Sequence, residues 1–173
     1  FKSFRHETTG DLRKTNYTIL PENVSDSGIL KGCIFVGANA SGKSNIILSV
    51  KLLLDFLFSE RSINSGMFRC MFGDEFSYSV DYWFVISGSQ VRYFLEVDTR
   101  NTFITEKLYV DSRLKMERMG VSAKSYIADE NGISYDDTDV DRETLFLRTL
   151  YFHTKFSGAQ VLREWMDFLS TSV

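Results

Sequence analysis

The stretch Gly37-Ala38-Asn39-Ala40-Ser41-Gly42-Lys43-Ser44-Asn45 brings together the residue types that hold phosphate. It fits G-x-x-x-x-G-K-[ST], the P-loop pattern. Gly37 and Gly42 let the backbone bend round an anion with no Cβ in the way. The N–H groups from Asn39 to Ser44 then turn inward as a nest for phosphate oxygens. The start of the following helix adds unpaired N–H groups and partial positive charge. Lys43 has the reach and charge for the β- and γ-phosphates, and the Ser44 hydroxyl is placed to ligate Mg²⁺. The cofactors expected from these residues are a nucleotide and Mg²⁺, with Ser44 as the protein's metal ligand.

A motif of this kind needs a strand to deliver it and a helix to leave it. Cys33-Ile34-Phe35-Val36 reads as the strand. The run from about Asn45 to Phe58 reads as a helix. Ile46, Ile47, Val50, Leu53, Leu54, Leu57 and Phe58 recur at helical spacing, and Leu48, Leu52 and Phe56 cover the other side, so burial nearly all round is expected. Upstream, Phe1-Lys2-Ser3-Phe4 looks like a strand end, and Tyr17 to Leu20 like a short strand turned by Pro21-Glu22-Asn23.

Beyond Arg61 to Asp74, an irregular connection, the period changes to two. Phe76, Tyr78, Val80, Tyr82, Phe84 and Ile86 alternate with polar residues. A turn at Ser87 to Gln90 leads to Val91, Tyr93, Leu95 and Val97. A second turn, Asp98 to Thr102, leads to a strand from Phe103 to Val110. This predicts an antiparallel meander, so the chain as a whole is mixed α/β. Arg113 to Arg118 reads as a further strand with a solvated basic face, or a patch for DNA. Ser125 to Tyr135 reads as a hairpin about Asn131-Gly132. Helices are expected from about Asp141 to Phe152 and Gly158 to Ser170.

Composition bounds the partners. The chain has 173 residues, 43% hydrophobic and 25% charged, enough for one domain with a core. The formal net charge of −3 does not indicate a nucleic-acid binder by bulk charge, although a local patch stays open. Two cysteines, Cys33 and Cys70, one of them in an expected core strand, do not make a disulfide framework and suit a reducing, cytoplasmic setting. No apolar run approaches the roughly 20 residues of a membrane span.

A phosphate loop does not name a reaction. Hydrolysis also needs an apolar strand ending in Asp, often with a neighbouring Glu to activate water. Ser125-Tyr126-Ile127-Ala128-Asp129-Glu130 is the one candidate, and it runs straight into Asn131-Gly132, so it reads better as a hairpin. Asp129 to Gly132 also fits D-x-x-G, but no N-K-x-D guanine-reading motif accompanies it. The catalytic residues are therefore unassigned.

Phe1-Lys2-Ser3-Phe4 taken with Val36 to Asn45 resembles the N-terminal half of an ABC-type ATPase head of the SMC, RecF and OLD class. More narrowly, GANASGKSN resembles the compact ATPases of bacterial anti-phage defence systems. Val91 to Val97, Glu106 to Val110, Leu145-Phe146-Leu147 and Glu164-Trp165 are similar to their later segments. The resemblance implies a P-loop NTPase fold. It implies that residues 1–173 are the N-terminal part of one ATP-binding domain, with the Asp-Glu strand beyond Val173 and little hydrolysis by this part alone. It implies nucleotide contacts from Gly37, Asn39, Ala40, Ser41, Gly42, Lys43, Ser44 and Asn45, with Lys2 and Ser3 near the α-phosphate, ribose or adenine. It also implies a homo-oligomer whose heads sandwich ATP, and a partner effector such as a nuclease or toxin. Phe156-Ser157-Gly158-Ala159-Gln160 resembles the signature that meets the γ-phosphate across such a dimer, and a Ser N-cap explains it equally well. Neither Gln90 nor Gln160 is assignable as the Mg²⁺-contacting Gln of such heads. A DNA-repair or chromosome-organising head, or a non-catalytic nucleotide-gated module, are the alternative functions.

Overall fold

The period-two stretch folds as the pattern predicts. β1 (Ser77–Ile86), β2 (Ser89–Asp98), β3 (Phe103–Val110), β4 (Arg113–Met119), β5 (Ser122–Ser125) and β6 (Tyr135–Asp137) form a six-stranded antiparallel sheet in chain order. This is a computed structural model, and it describes all residues except 1, 3, 5, 17, 19, 60–67, 71–73, 75, 128–134, 138, 154–155, 157 and 173, with the side chains of 135 and 137 also outside the description. Short turns fix the register. Ser87 and Gly88 have φ of 50° and 82°, the double left-handed geometry that matches the twist of a tight hairpin. Ile86 therefore faces Ser89, the first of ten residue pairs in unbroken register down to Ser77 opposite Asp98. The expected turn at Asn131-Gly132 lies outside the described residues, but β5 and β6 on either side of it pair antiparallel.

Alternation buries one face. Val91, Tyr93, Leu95 and Val97 of β2 point to the core with Ile104 and Leu108 of β3, Met116 of β4 and Ala123 of β5. Three helices cover that face: α1 (Lys43–Phe58), α2 (Phe146–Phe152) and α3 (Gln160–Ser170). The expected start of α2 near Asp141 is five residues early, because Arg142 to Thr144 form a bend and the helix begins at Phe146. α3 presents Leu162, Trp165, Met166 and Leu169 inward, with Trp165 5.5 Å from Phe84 and 6.2 Å from Tyr93. α1 packs on α2 and α3, and Tyr82 donates from its hydroxyl to the Ser49 carbonyl at 2.5 Å.

A buried ionic cluster ties the sheet to α2. The Glu106 carboxylate accepts from Tyr93 Oη at 2.8 Å, from Arg118 Nη1 at 3.2 Å, and from the backbone N–H of Phe146 and Leu147 at 2.7 and 3.2 Å. It thus satisfies free N–H groups at the start of α2 with a full negative charge. Arg118 spends its other donors on the carbonyls of Gly120, Thr144 and Asp141. Both charged side chains are fully buried. This corrects the reading of Arg113 to Arg118 as one solvated basic face: β4 alternates, and Arg118 falls on the inner side.

Two further expectations are corrected. Cys33 to Val36 belongs to no strand, Cys33 is exposed, and Ile34 and Val36 are 88% and 86% exposed. Among the described residues every strand pair is antiparallel, so the sheet shown is the meander. α1 is buried only over its second half, through Leu52, Leu53, Phe56 and Leu57, while Ile47 and Val50 stay exposed. Both departures leave apolar side chains at the surface, on the segment that enters the loop and on the first half of the helix that leaves it. Lys2, Phe4, Thr18 and Leu20 lie outside strands as well.

Candidate phosphate-binding site

α1 is what gives the loop its shape. Its N-cap is Gly42 at φ 91°, a left-handed conformation that side-chain-bearing residues rarely adopt. Ala40, two residues earlier, is also left-handed at φ 62°. The helix then starts abruptly at Lys43, with Asn45 and Ile46 N–H both donating to the Gly42 carbonyl at 2.9 and 3.3 Å. The N–H groups of Lys43 and Ser44 make no hydrogen bond to any described residue. The first turn carries no acidic side chain. Free amides, helix dipole and absence of carboxylates all favour an anion at this point.

Lys43 folds back into its own loop. Its ammonium donates to the Gly37 carbonyl at 2.8 Å, the Ala38 carbonyl at 2.6 Å and, more weakly, Ser41 Oγ at 3.4 Å. Ser41 N–H closes a tight turn on the Ala38 carbonyl at 3.3 Å. The carbonyls of Gly37 and Ala38 therefore gather around a cation, and phosphate oxygens would share that cation. At Gly37 a Cβ would stand 3.0 Å from Ser41 Oγ, so a side chain there would press on the turn.

The structure gathers Gly37, Asn39, Ala40, Ser41, Gly42, Lys43, Ser44 and Asn45 in one exposed or half-buried loop and helix start. Ser44 is exposed on the first turn, where one hydroxyl would be a single protein ligand to Mg²⁺, phosphate and water filling the remaining positions. That donor set fits the metal's habit of taking few protein ligands. Lys2 is not brought to the loop by its side chain: its ammonium lies 5.6 Å from the Phe68 ring centroid, and its N–H donates to the Phe68 carbonyl at 3.2 Å. Ser3 lies outside the described residues, as do Asp129, Glu130 and Ser157 of the other two motifs. α3 begins at Gln160 with Ala159 as N-cap and no side-chain cap, so a Ser cap does not account for Ser157-Gly158. Gln90 sits in β2 rather than in the turn. Among the described residues no group of three or more His, Cys, Asp or Glu side chains is arranged to hold a metal ion.

Sequence reasoning missed Phe4. Its ring lies against Gly42, in the space a Cβ would occupy. The signal was the aromatic in Phe1-Lys2-Ser3-Phe4, whose place against the loop no spacing rule provides.

No family model matches the chain, and neither the curated proteins nor the solved structures hold a significant match to it. Among the described residues no helix is long and apolar enough to cross a membrane.

Proposed function

We propose that this chain binds ATP·Mg²⁺ through Gly37 to Asn45, as part of an ABC-type ATPase head. The observation that supports this most directly is the loop geometry: a left-handed Gly42, two free amides at the start of α1, and the Lys43 ammonium turned onto the loop's own carbonyls. Lys43 would exchange those carbonyls for β- and γ-phosphate oxygens, and Ser44 would add its hydroxyl to Mg²⁺. The exposed apolar residues of Ile34 to Val36, and separately Ile47 and Val50, support the view that this is one part of a larger domain, whose remaining sheet covers them. In this reading two heads close on ATP, and the closure gates an effector such as a nuclease in a cytoplasmic anti-phage defence complex. The catalytic carboxylate and the signature are supplied by other parts of the domain and by the second head. A DNA-clamping head stands second, since Arg118 is withdrawn from the basic patch that reading depends on.

The test is calorimetric titration of the full-length protein and of Lys43→Ala with ATP·Mg²⁺. Wild type is expected to bind and Lys43→Ala to lose at least about 100-fold, the order expected when charge-assisted contacts to two phosphates are removed. Equal affinities would refute the phosphate-loop assignment.

A further inference from the structure

We propose that Phe4 is a positioning residue of the phosphate loop, holding Gly42 in the conformation that aims the first amides of α1. The inference rests on the nucleotide reading above and adds a residue to it. A Cβ on Gly42 would stand 2.5 Å from Phe4 Cε1, 2.8 Å from Cζ and 3.5 Å from Cδ1. The ring edge is therefore seated directly on the Gly42 Cα, closer than any side chain there would allow. Gly42 at φ 91° is a residue with little intrinsic preference between several backbone wells. A loop made of such residues is free to collapse unless something packs against it, and the aromatic edge is what packs here.

The brace is itself anchored. Two residues before Phe4, the Lys2 N–H donates to the Phe68 carbonyl and the Lys2 ammonium lies over the Phe68 ring. Phe68 is buried and meets Phe56 of α1 edge-to-face, with centroids 5.7 Å apart. The N-terminal segment is thus pinned to the core near the far end of α1, and Phe4 carries that restraint to Gly42. The Lys43 and Ser44 amides next to Gly42 are the free donors that a phosphate would use.

The experiment compares full-length wild type, Phe4→Ala and Phe4→Leu by titration with ATP·Mg²⁺ and by amide hydrogen exchange at Asn45 and Ile46, whose N–H groups are protected by donating to the Gly42 carbonyl. Phe4→Ala is expected to bind at least tenfold more weakly and to exchange faster at both amides, with Phe4→Leu recovering most of each. Wild-type affinity and exchange in Phe4→Ala would overturn the proposal. So would weaker binding with unchanged exchange, because Phe4 would then be touching nucleotide rather than shaping the loop. If wild type binds no ATP, the nucleotide reading fails, and the exchange rates alone decide whether Phe4 braces Gly42. If Phe4→Ala does not fold, the same two measurements on Phe4→Leu decide: a smaller loss in both supports the brace, and none overturns it.

Discussion

In the proposed nucleotide site Lys43 and Ser44 are neighbours on α1 with different tasks, and the difference is measurable. The Lys43 ammonium has three acceptors within its own loop, so its contribution to binding is net of those contacts. Ser44 is exposed on the first turn, and the value of its hydroxyl depends on the metal. Ser44→Ala is expected to weaken ATP binding about tenfold or more in the presence of Mg²⁺ and much less in EDTA, as suits loss of a single metal ligand. Titration in the two buffers checks it. A loss of equal size in both would make Ser44 a helix-start residue with no metal role. The types and spacing of these residues were fully legible in the sequence, because a P-loop is a local device whose parts lie within nine residues. The loop's contact with Phe4 was not, since it joins positions 4 and 42 through space.

At the scale of elements, α2 is held at its start by Glu106 and in turn holds the end of α1. Arg148 of α2 donates to the Leu57 carbonyl in the last turn of α1 and lies over Phe152. The helix that leaves the phosphate loop is thereby tied, through α2, to β3 and β4. Breaking a buried pair on one side leaves the other charge uncompensated, at about 3–5 kcal/mol. Glu106→Gln is therefore expected to lower unfolding free energy by about that much in urea. Glu106→Leu with Arg118→Met is expected to cost less than the two single changes together, because neither charge is then stranded. A Glu106→Gln loss under about 1 kcal/mol would mean the cluster does not hold α2. The strands behind this cluster followed from alternation alone. The cluster did not, since Glu106 and Arg118 read as ordinary polar positions until the sheet and α2 enclose them.

Across the whole molecule, three phenols face inward to the core from two neighbouring strands. Tyr82 and Tyr93 stack with centroids 6.3 Å apart, and Tyr78 lies on the same face. Burial pushes the hydroxyl pKa of Tyr78 above its ordinary value of 10.0 and those of Tyr82 and Tyr93 well above it, with the Glu106 charge adding to the effect on Tyr93. The folded state keeps protons there that the unfolded chain releases. Stability contributed by this retention is complete below about pH 10 and is lost as pH rises beyond it. Each phenol adds about 1.4 kcal/mol per pH unit to the slope. Denaturant unfolding between pH 9 and 11.5 is expected to show a steep loss starting near pH 10, and Tyr82→Phe is expected to make it shallower by about one phenol's share. An unchanged slope in Tyr82→Phe would show that Tyr82 is not held neutral by the fold.

By itself the sequence determined the meander and the phosphate-loop pattern. Strand alternation and turn chemistry act over two to four residues, and the loop's glycines, lysine and serine act within one turn of helix. Tertiary structure decided everything that depends on what lies beside an element. It placed Arg118 inward with Glu106, although Glu117 precedes it and its strand looked solvated. It left Ile34 and Val36 at the surface, although their apolar run looked like core, because hydrophobicity states a preference for burial and only a packed neighbour can satisfy it. It set Phe4 on Gly42, a contact whose partners are far apart along the chain and whose geometry exists only once the N-terminal segment is anchored at Phe68.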